Sequence, residues 1–497
     1  MLTSTTMWAS SVPSRKDSVL IELEDLNLEG RDDIFLKLGL ARALLMGHED
    51  PFSEFAYLEH LACWNNFFEE EPQKSGPEDF MAGFKSMADD FISGKFLSLQ
   101  DSIPVNKNYQ PQNGAHRISL LLAAKQLGMT TSPASFQVLS RPDRSWNFDF
   151  FRRRGLSPAS IRWGLLEKSR AGRLTTLIVW PRALGYLSEI ESVLDSEGLS
   201  SRMSFDLVLD RQQILGLVAH AYWGEAWAKG YGGLRSKAVE AGFEGGIRVT
   251  FLPSLGASAA RDLKERMRSK WDGEFQGVHT SDGPEDCHRL VTLTTDEDSL
   301  RFLRFISWSY VFGKFSQLLE TARLNLGERK RMLFAFSGSL IIALAGGREP
   351  ADTDFLIADS DDDILGWSNH RSYLRRLGLD GDEIVLNPAK HVWFLGYRFI
   401  HPRVYDYICS VRRERKDFAS TALRKAIVAS LDGDHGRVNP NFPFPLKIKT
   451  VSSRPKWLGW KIVALGFRVR NSSRLMRKKL RKNLLKIRRI LGRLLHR

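Results

Sequence analysis

Four short stretches of this 497-residue chain hold residues able to handle phosphate or move a proton. The first is Phe334-Ala-Phe-Ser-Gly-Ser339, followed by twelve residues and then Asp352-Thr-Asp354. An apolar strand entering a Gly338-Ser339 turn lets backbone approach a ligand, and the helix start after it offers free amides to phosphate. Asp352 and Asp354, two apart on a strand, would show both carboxylates on one face. Such a pair of hard oxygen donors suits Mg²⁺ bridging nucleotide phosphates. Asp382-Glu383-Ile-Val-Leu386 reads as a further strand; Glu383 is taken as a third metal carboxylate, with the register against Asp382 open. Arg348-Glu349-Pro350 competes as a structural partner for the aspartates.

The second stretch is Asn113-Gly-Ala-His-Arg117, lying between a short strand, 103–105, and a helix from about Ala115 to Leu127 that Gly128 stops. Gly114, His116 and Arg117 then sit at a helix N-terminus, where dipole and amides favour an anion. Arg117 adds bidentate phosphate capture, and His116 a donor or a base. A general base near an acceptor hydroxyl would come from Glu22, Glu24 or Asp101, among which the sequence does not choose. The third stretch, Trp223-Gly-Glu-Ala-Trp227 with Gly230-Tyr-Gly-Gly233, either covers a sugar or base by stacking or simply packs and turns; Lys237 beyond it could reach a phosphate or stay solvated. The fourth runs from His279 to Asp286. Asp282 and Glu285 fit a capping box, and His279 is a candidate active-site base, or with Asp282 a weak metal pair.

The elements that would position these residues follow from periodicity. Residues 1–17 are polar. A strand at 18–23 precedes helical patterns at 33–45, 53–68 and 77–92. Tyr57, Leu58, Leu61, Trp64, Phe67 and Phe68 form an aromatic face best read as core. Strands at 174–180, 203–209 and 246–252 alternate with helices at 188–197, 212–223 and 258–269, the rhythm of an α/β sheet. The chain divides accordingly into 1–17, an α+β segment 18–145, a central α/β domain 146–325, a second α/β domain 326–431, a Gly/Asn/Pro-rich linker 432–453 and a basic tail 454–497.

Hydrophobic residues make up 43% and charged residues 26%, ordinary for a globular protein of about three domains. Cys63, Cys287 and Cys409 are too far apart in sequence for a metal or disulfide pattern, so a reducing cytosol is expected. The N-terminus has no basic region followed by an apolar core, and no run of eighteen apolar residues exists, so neither signal peptide nor spanning helix is expected. Net charge is +14, yet residues 454–497 alone hold sixteen Lys or Arg and no acid; removing those sixteen leaves the body near −2. Trp457 and Trp460 lie among bases, and Leu480, Leu484, Ile487, Leu491 and Leu494 make one stripe. This reads as an amphipathic anchor on the anionic inner face of a membrane, with nucleic acid second and a coiled-coil partner third.

Gly338-Ser339 and Asp352-Thr-Asp354 together resemble the nucleotidyltransferase signature of the DNA polymerase β superfamily. Gly114-Ala-His-Arg117 resembles the Gly-x-His-Arg element of the ParB/sulfiredoxin superfamily, whose members bind nucleotide phosphates there and include small-molecule kinases. With Arg31-Asp-Asp33 and the Trp-rich middle, the order is similar to that of proteins from surface-polysaccharide gene clusters. The resemblance implies a cytoplasmic, peripherally membrane-bound enzyme that uses Mg²⁺ and a nucleoside triphosphate (ATP or CTP) for phosphoryl or nucleotidyl transfer to a glycan or lipid-linked sugar. His116, Arg117, Asp352, Asp354 and His279 would be catalytic, with Gly114, Gly338, Ser339 and Lys237 on the nucleotide. The rival reading is a nucleotide- or nucleic-acid-binding regulator with degenerate motifs; a nucleotidyltransferase acting on RNA is a third.

Overall fold

The computed structural model describes residues 18–433, apart from 70–73, 96–101, 130–133, 201, 244, 272–275, 359, 362–363, 365, 413–416 and 418–419. The basic tail and the proposed base Asp101 therefore lie outside the described residues.

Helix α1 (Asp32–Met46) is apolar on every side, Ile34-Phe-Leu-Lys-Leu38 running on into Leu40, Ala41, Ala43 and Leu45. A helix with no polar face has to be surrounded, and thirteen of its fifteen residues are buried. Around it pack α2 (Pro51–Trp64), α3 (Pro77–Ile92) and α4 (Ala115–Gln126), as well as the helix Pro158–Arg170. Asp50 caps α2 through Phe52 N and Ser53 N with Pro51 at the first helical position, the arrangement that sequence favours. Strands β1 (Ser18–Leu20), β2 (Ile103–Asn106) and β3 (Ser135–Leu139) form a small sheet in the order β1-β3-β2, with β2 and β3 parallel. Phe68 is 53% exposed, so the aromatic face of α2 ends before it.

The central strands β4 (Leu174–Val179), β5 (Met203–Leu209), β6 (Gly245–Pro253) and β7 (Val278–Thr280) pair in the order β5-β6-β4-β7, every pair antiparallel. The next sheet contains β8 (Phe334–Phe336), β9 (Asp354–Ile357), β10 (Ser368–Asn369), β11 (His391–Phe394) and β12 (Tyr397–Ile400), in the order β10-β9-β8-β12-β11. One buried apolar cluster, including Leu36, Trp163, Ile178, Phe336 and Leu431, runs through both sheets. The N-terminal unit is tied to this body by a buried bidentate pair, Arg42 with Glu167, at 2.7 Å on both arms. Among the described residues no helix is long and apolar enough to cross a membrane.

Two sequence expectations change here. Asp382–Leu386 is not a strand but part of a helix, Gly381–Leu386, because Asp380 caps it through Asp382 N at 2.9 Å. Asp352 is not on a strand either: β9 begins at Asp354, and Asp352 sits on an exposed bend.

Candidate functional site

The polar side chains at the N-terminal candidate site converge from α1, α2 and α4. Arg31, at the N-cap of α1, holds Asp33 with two bonds, Nε to Oδ1 at 2.9 Å and Nη2 to Oδ2 at 3.0 Å, while Nη1 donates to the Pro111 carbonyl. One turn on, Lys37 Nζ donates to the Asp33 carbonyl at 3.0 Å, lies 3.5 Å from its carboxylate, and meets His60 Nε2 at 3.1 Å. An ammonium can only donate, so His60 accepts at Nε2 and carries its proton on Nδ1, which donates to the Tyr57 carbonyl at 3.2 Å. The Tyr57 hydroxyl stands 3.2 Å from the Phe80 carbonyl and 3.0 Å from His116 Nε2. A carbonyl only accepts, so both contacts are met when Tyr57 donates to Phe80 and His116 Nε2–H donates to Tyr57; His116 Nδ1 is then left as a proton acceptor.

Arg31, Asp33, Lys37 and His60 are at most 3% exposed. Burial works against the Asp33 carboxylate, but Arg31 and Lys37 outweigh it and hold its pKa far below the usual range. Burial lowers Lys37 to about 8, with Asp33 opposing and Arg31 adding to the fall. Burial, then Lys37, keeps His60 and His116 well below the ordinary histidine value, so both are neutral at pH 7. Arg144 adds cationic character: its guanidinium and that of Arg31 lie 5.0 and 4.7 Å from the Trp146 ring centroid. Arg31 and Lys37 thus share a single buried carboxylate, leaving net positive charge in a low-dielectric setting, where charge is costly until an anion answers it.

Helix α4 begins at this end of the network. Gly114 takes φ +77° at its N-cap, no side chain caps the first amides, and the Arg117 guanidinium folds back over Gly114. The structure therefore brings Gly114, His116 and Arg117 together as expected, and adds Arg31, Asp33, Lys37, Tyr57 and His60. The signal for Lys37 was a lysine set among apolar residues, four residues after Asp33. Of the bases proposed for this site, Glu24 pairs with Lys125, and Glu22 is exposed.

At the second site Gly338 has φ +61°, and a Cβ there would fall 2.7 Å from Asp354 Cγ and 2.8 Å from Asp354 Cβ. Asp354 Oδ1 lies 2.8 Å from His370 Nε2. Ser339 heads a five-residue helix, Leu340–Leu344, without capping it. Glu349 pairs with Lys314 and not with the aspartates. Glu383 is exposed on its helix, 3.9 Å from Lys390. Asp352, Asp354 and Glu383 do not assemble into a metal cage: among the described residues no group of three or more His, Cys, Asp or Glu is placed to hold a metal.

The other two candidate stretches are structural in their immediate contacts. Lys237, 6% exposed, is bonded to Glu240 at 3.1 Å and Gln276 at 2.7 Å. The expected capping box is out of register, because the helix Pro284–Thr294 starts on Pro284 with Gly283 as N-cap. Asp286, the third residue of that helix, instead accepts from Asp282 N at 3.1 Å. His279 is buried on β7, 3.5 Å from Asp286 and with its ring against Tyr222 at 4.7 Å, so its carboxylate neighbour is Asp286, not Asp282.

No family of known proteins matches this chain, and neither a curated protein nor a solved structure matches it.

Proposed function

We propose that the chain is a nucleotide-dependent phosphotransferase whose N-terminal unit holds the triphosphate and whose acceptor is a hydroxyl-bearing glycan or lipid-linked sugar. The observation that carries this reading is the buried Arg31–Asp33–Lys37 set, positive overall, lying behind His116 at the uncapped start of α4. Phosphate oxygens would meet the α4 amides and Arg117, and the field of Arg31 and Lys37 would favour the charge there. His116 Nδ1 would take the acceptor proton as the acceptor oxygen bonds to the γ-phosphorus; the bond to the β-phosphate oxygen breaks, and the nucleoside diphosphate leaves with the electron pair. Mg²⁺ would arrive as the magnesium–nucleotide complex. A second reading, nucleotidyl transfer at Gly338 and Asp354, is favoured by the close seating of that carboxylate on the glycine.

Calorimetry with Mg·ATP and Mg·CTP separates the two. Loss of binding in His116→Ala/Arg117→Ala, with Asp352→Asn/Asp354→Asn unchanged, is the expected result; the reverse pattern would make the chain a nucleotidyltransferase. Wild type binding neither nucleotide overturns both.

A pH dependence follows from Lys37. Its folded pKa of about 8 means that the ammonium is lost as pH rises through 8. Nucleotide affinity should be flat from pH 6 to 7.5 and then fall, by at most about tenfold per pH unit. Lys37→Met should bind weakly and lose that slope. A profile unchanged between wild type and Lys37→Met removes Lys37 from the site.

The tail, 454–497, is proposed to seat the enzyme on anionic lipid. Full-length protein should retain part of its binding to phosphatidylserine vesicles at 1 M NaCl through the leucine stripe, whereas binding to DNA or RNA should collapse as counterion release is suppressed.

A further inference from the structure

A cavity of about 880 Å³ opens between the Trp223-Gly224-Glu225 loop and the turn joining β11 to β12, with Phe312 and Ser316 on a further wall. Its lining shares no residue with either site above. Strand β12 runs parallel to β8, so Tyr397 is level with the start of β8, whereas Gly338 follows its end.

Two backbone irregularities face the cavity. Leu395 and Gly396 both have positive φ, 50° and 84°, as a tight two-residue hairpin requires. A leucine in that conformation costs about 1–2 kcal/mol. It is held by the buried His220, whose Nε2 accepts from Leu395 N at 2.8 Å. Across the cavity the chain kinks within Val311–Phe315, where Gly313 takes a non-helical φ −84°, ψ −112°. Strained turns gather at ligand sites. Arg331 Nε is also buried here without a hydrogen-bond partner.

The lining narrows the ligand class. Trp223 and Phe312 are stacked, with ring centroids 6.1 Å apart and planes 27° apart, and Tyr397 adds a third ring. Four cations, Lys229, Arg289, Arg323 and Arg331, stand against three carboxylates, Glu225, Glu285 and Glu320. Arg323 bonds Glu320 at 2.7 Å, Arg331 lies 3.5 Å from Glu285, and Arg289 is paired with Asp286 at 2.7 Å, so the rim is balanced. A balanced rim is a poor seat for a triphosphate, and a purely apolar ligand would cover its polar groups without answering them. A sugar ring satisfies both halves: its C–H face covers the aromatic rings, while its hydroxyls donate to carboxylates and accept from guanidinium groups.

The same loop serves a second pocket of about 530 Å³, which shares Glu225 with the first. Trp227 lines it, 44% exposed and with its ring 5.0 Å from that of Tyr222, beside Lys237, Lys264 and Arg268. One loop therefore places a tryptophan in each of two neighbouring pockets.

We propose that the Trp223 cavity binds an uncharged saccharide unit, and that the Trp227 pocket takes a following unit of the same chain. Saccharide binding rests on these two pockets and not on the phosphotransferase reading.

The test is an array of neutral, uronic-acid-containing and phosphorylated oligosaccharides probed with the full chain, followed by calorimetry on the best binder. Wild type should bind neutral members. Trp223→Ala should weaken binding at least tenfold, whereas Trp223→Phe, which keeps a ring in the wall, should stay within about threefold. Trp227→Ala, at an exposed position, should remove the advantage of longer oligosaccharides over the monosaccharide. Unchanged Mg·ATP binding in each variant shows that the fold is intact and separates this result from failure of the phosphotransferase reading. Absence of any array binding, binding confined to the acidic or phosphorylated members, or displacement of the saccharide by ATP overturns the proposal.

Discussion

Asp33→Asn should destabilise the N-terminal unit by about 3–5 kcal/mol, the cost of removing one partner from a buried ion pair. The substitution keeps shape and most of the hydrogen bonding but takes away the carboxylate that Arg31 and Lys37 share. Arg31 cannot shed its proton, whereas Lys37 can, so the loss should depend on pH. In the wild type Lys37 titrates at about 8 when folded, below the ordinary lysine value, so between about 8 and 10.5 the unfolded chain holds more protons and stability rises with pH. Asp33 acts in the same direction at lower pH: its folded pKa is depressed, so its contribution is present above about 4 and lost as pH falls further. In the variant Lys37 should deprotonate at still lower pH, and the penalty measured at pH 9 should be smaller than at pH 7. Hydrogen exchange of the α1 amides at pH 6, 7.5 and 9 reads this locally, which matters in a chain of several units where a single melting curve mixes events. Asp33→Asn/Lys37→Met should recover much of the loss. A penalty below 1 kcal/mol at every pH would mean that solvent reaches the cluster, and the buried-cation argument would fall with it.

How far this cluster was legible in the sequence depends on range. The start of α4 at Ala115, with Gly114 at its N-terminus, is local, and local chemistry announced it. The partners of His116 are 59 residues away, at Tyr57, and beyond that through Lys37. No periodicity links those positions; only the packing of α2 and α4 against the same apolar α1 does. Helix α1 was legible as a helical pattern at 33–45, and a lysine among its apolar residues should have been read as demanding a partner.

The misread elements were decided by caps. Asp382-Glu-Ile-Val-Leu386 has the β-branched look of a strand, but Asp380-Gly-Asp-Glu383 is an acidic helix start, and the Asp380 cap outweighs the propensity of two residues. At 282–286 the helix was foreseen and its register missed, because Pro284 takes the first helical position and shifts the cap to Gly283. The alternation of strand and helix through 174–268 was correct in its elements. It did not give pairing direction: helices can return a chain to either orientation, and here every neighbouring pair in the central sheet is antiparallel.

Gly338→Ala should be the most damaging single methyl in the second α/β sheet. Two separate physical costs coincide there. At φ +61° an alanine is strained by about 1–2 kcal/mol wherever it finds itself. Its Cβ would also lie 2.8 Å from Asp354 Cβ, an atom fixed to the first residue of β9 and unable to swing aside as a side-chain tip does. Ser337 N donates to the Asp354 carbonyl at 2.9 Å, so parting the two strands to relieve the contact breaks a backbone bond as well. Together these should cost about 3 kcal/mol or more, within the range of overpacked cores, and protease should cut the variant in 326–431 before the wild type. The two costs can be separated. Asp354→Gly removes the obstructing Cβ, and in that background Gly338→Ala should cost only the backbone strain, a coupling of about 1–2 kcal/mol in the double-mutant cycle. Additive penalties would mean that the carboxylate does not lie on the glycine, and the nucleotidyl-transfer reading would lose the contact that favours it. Strong coupling with unchanged nucleotide binding in Asp354→Asn would instead make Gly338 and Asp354 a packing device, leaving phosphate chemistry to the N-terminal unit.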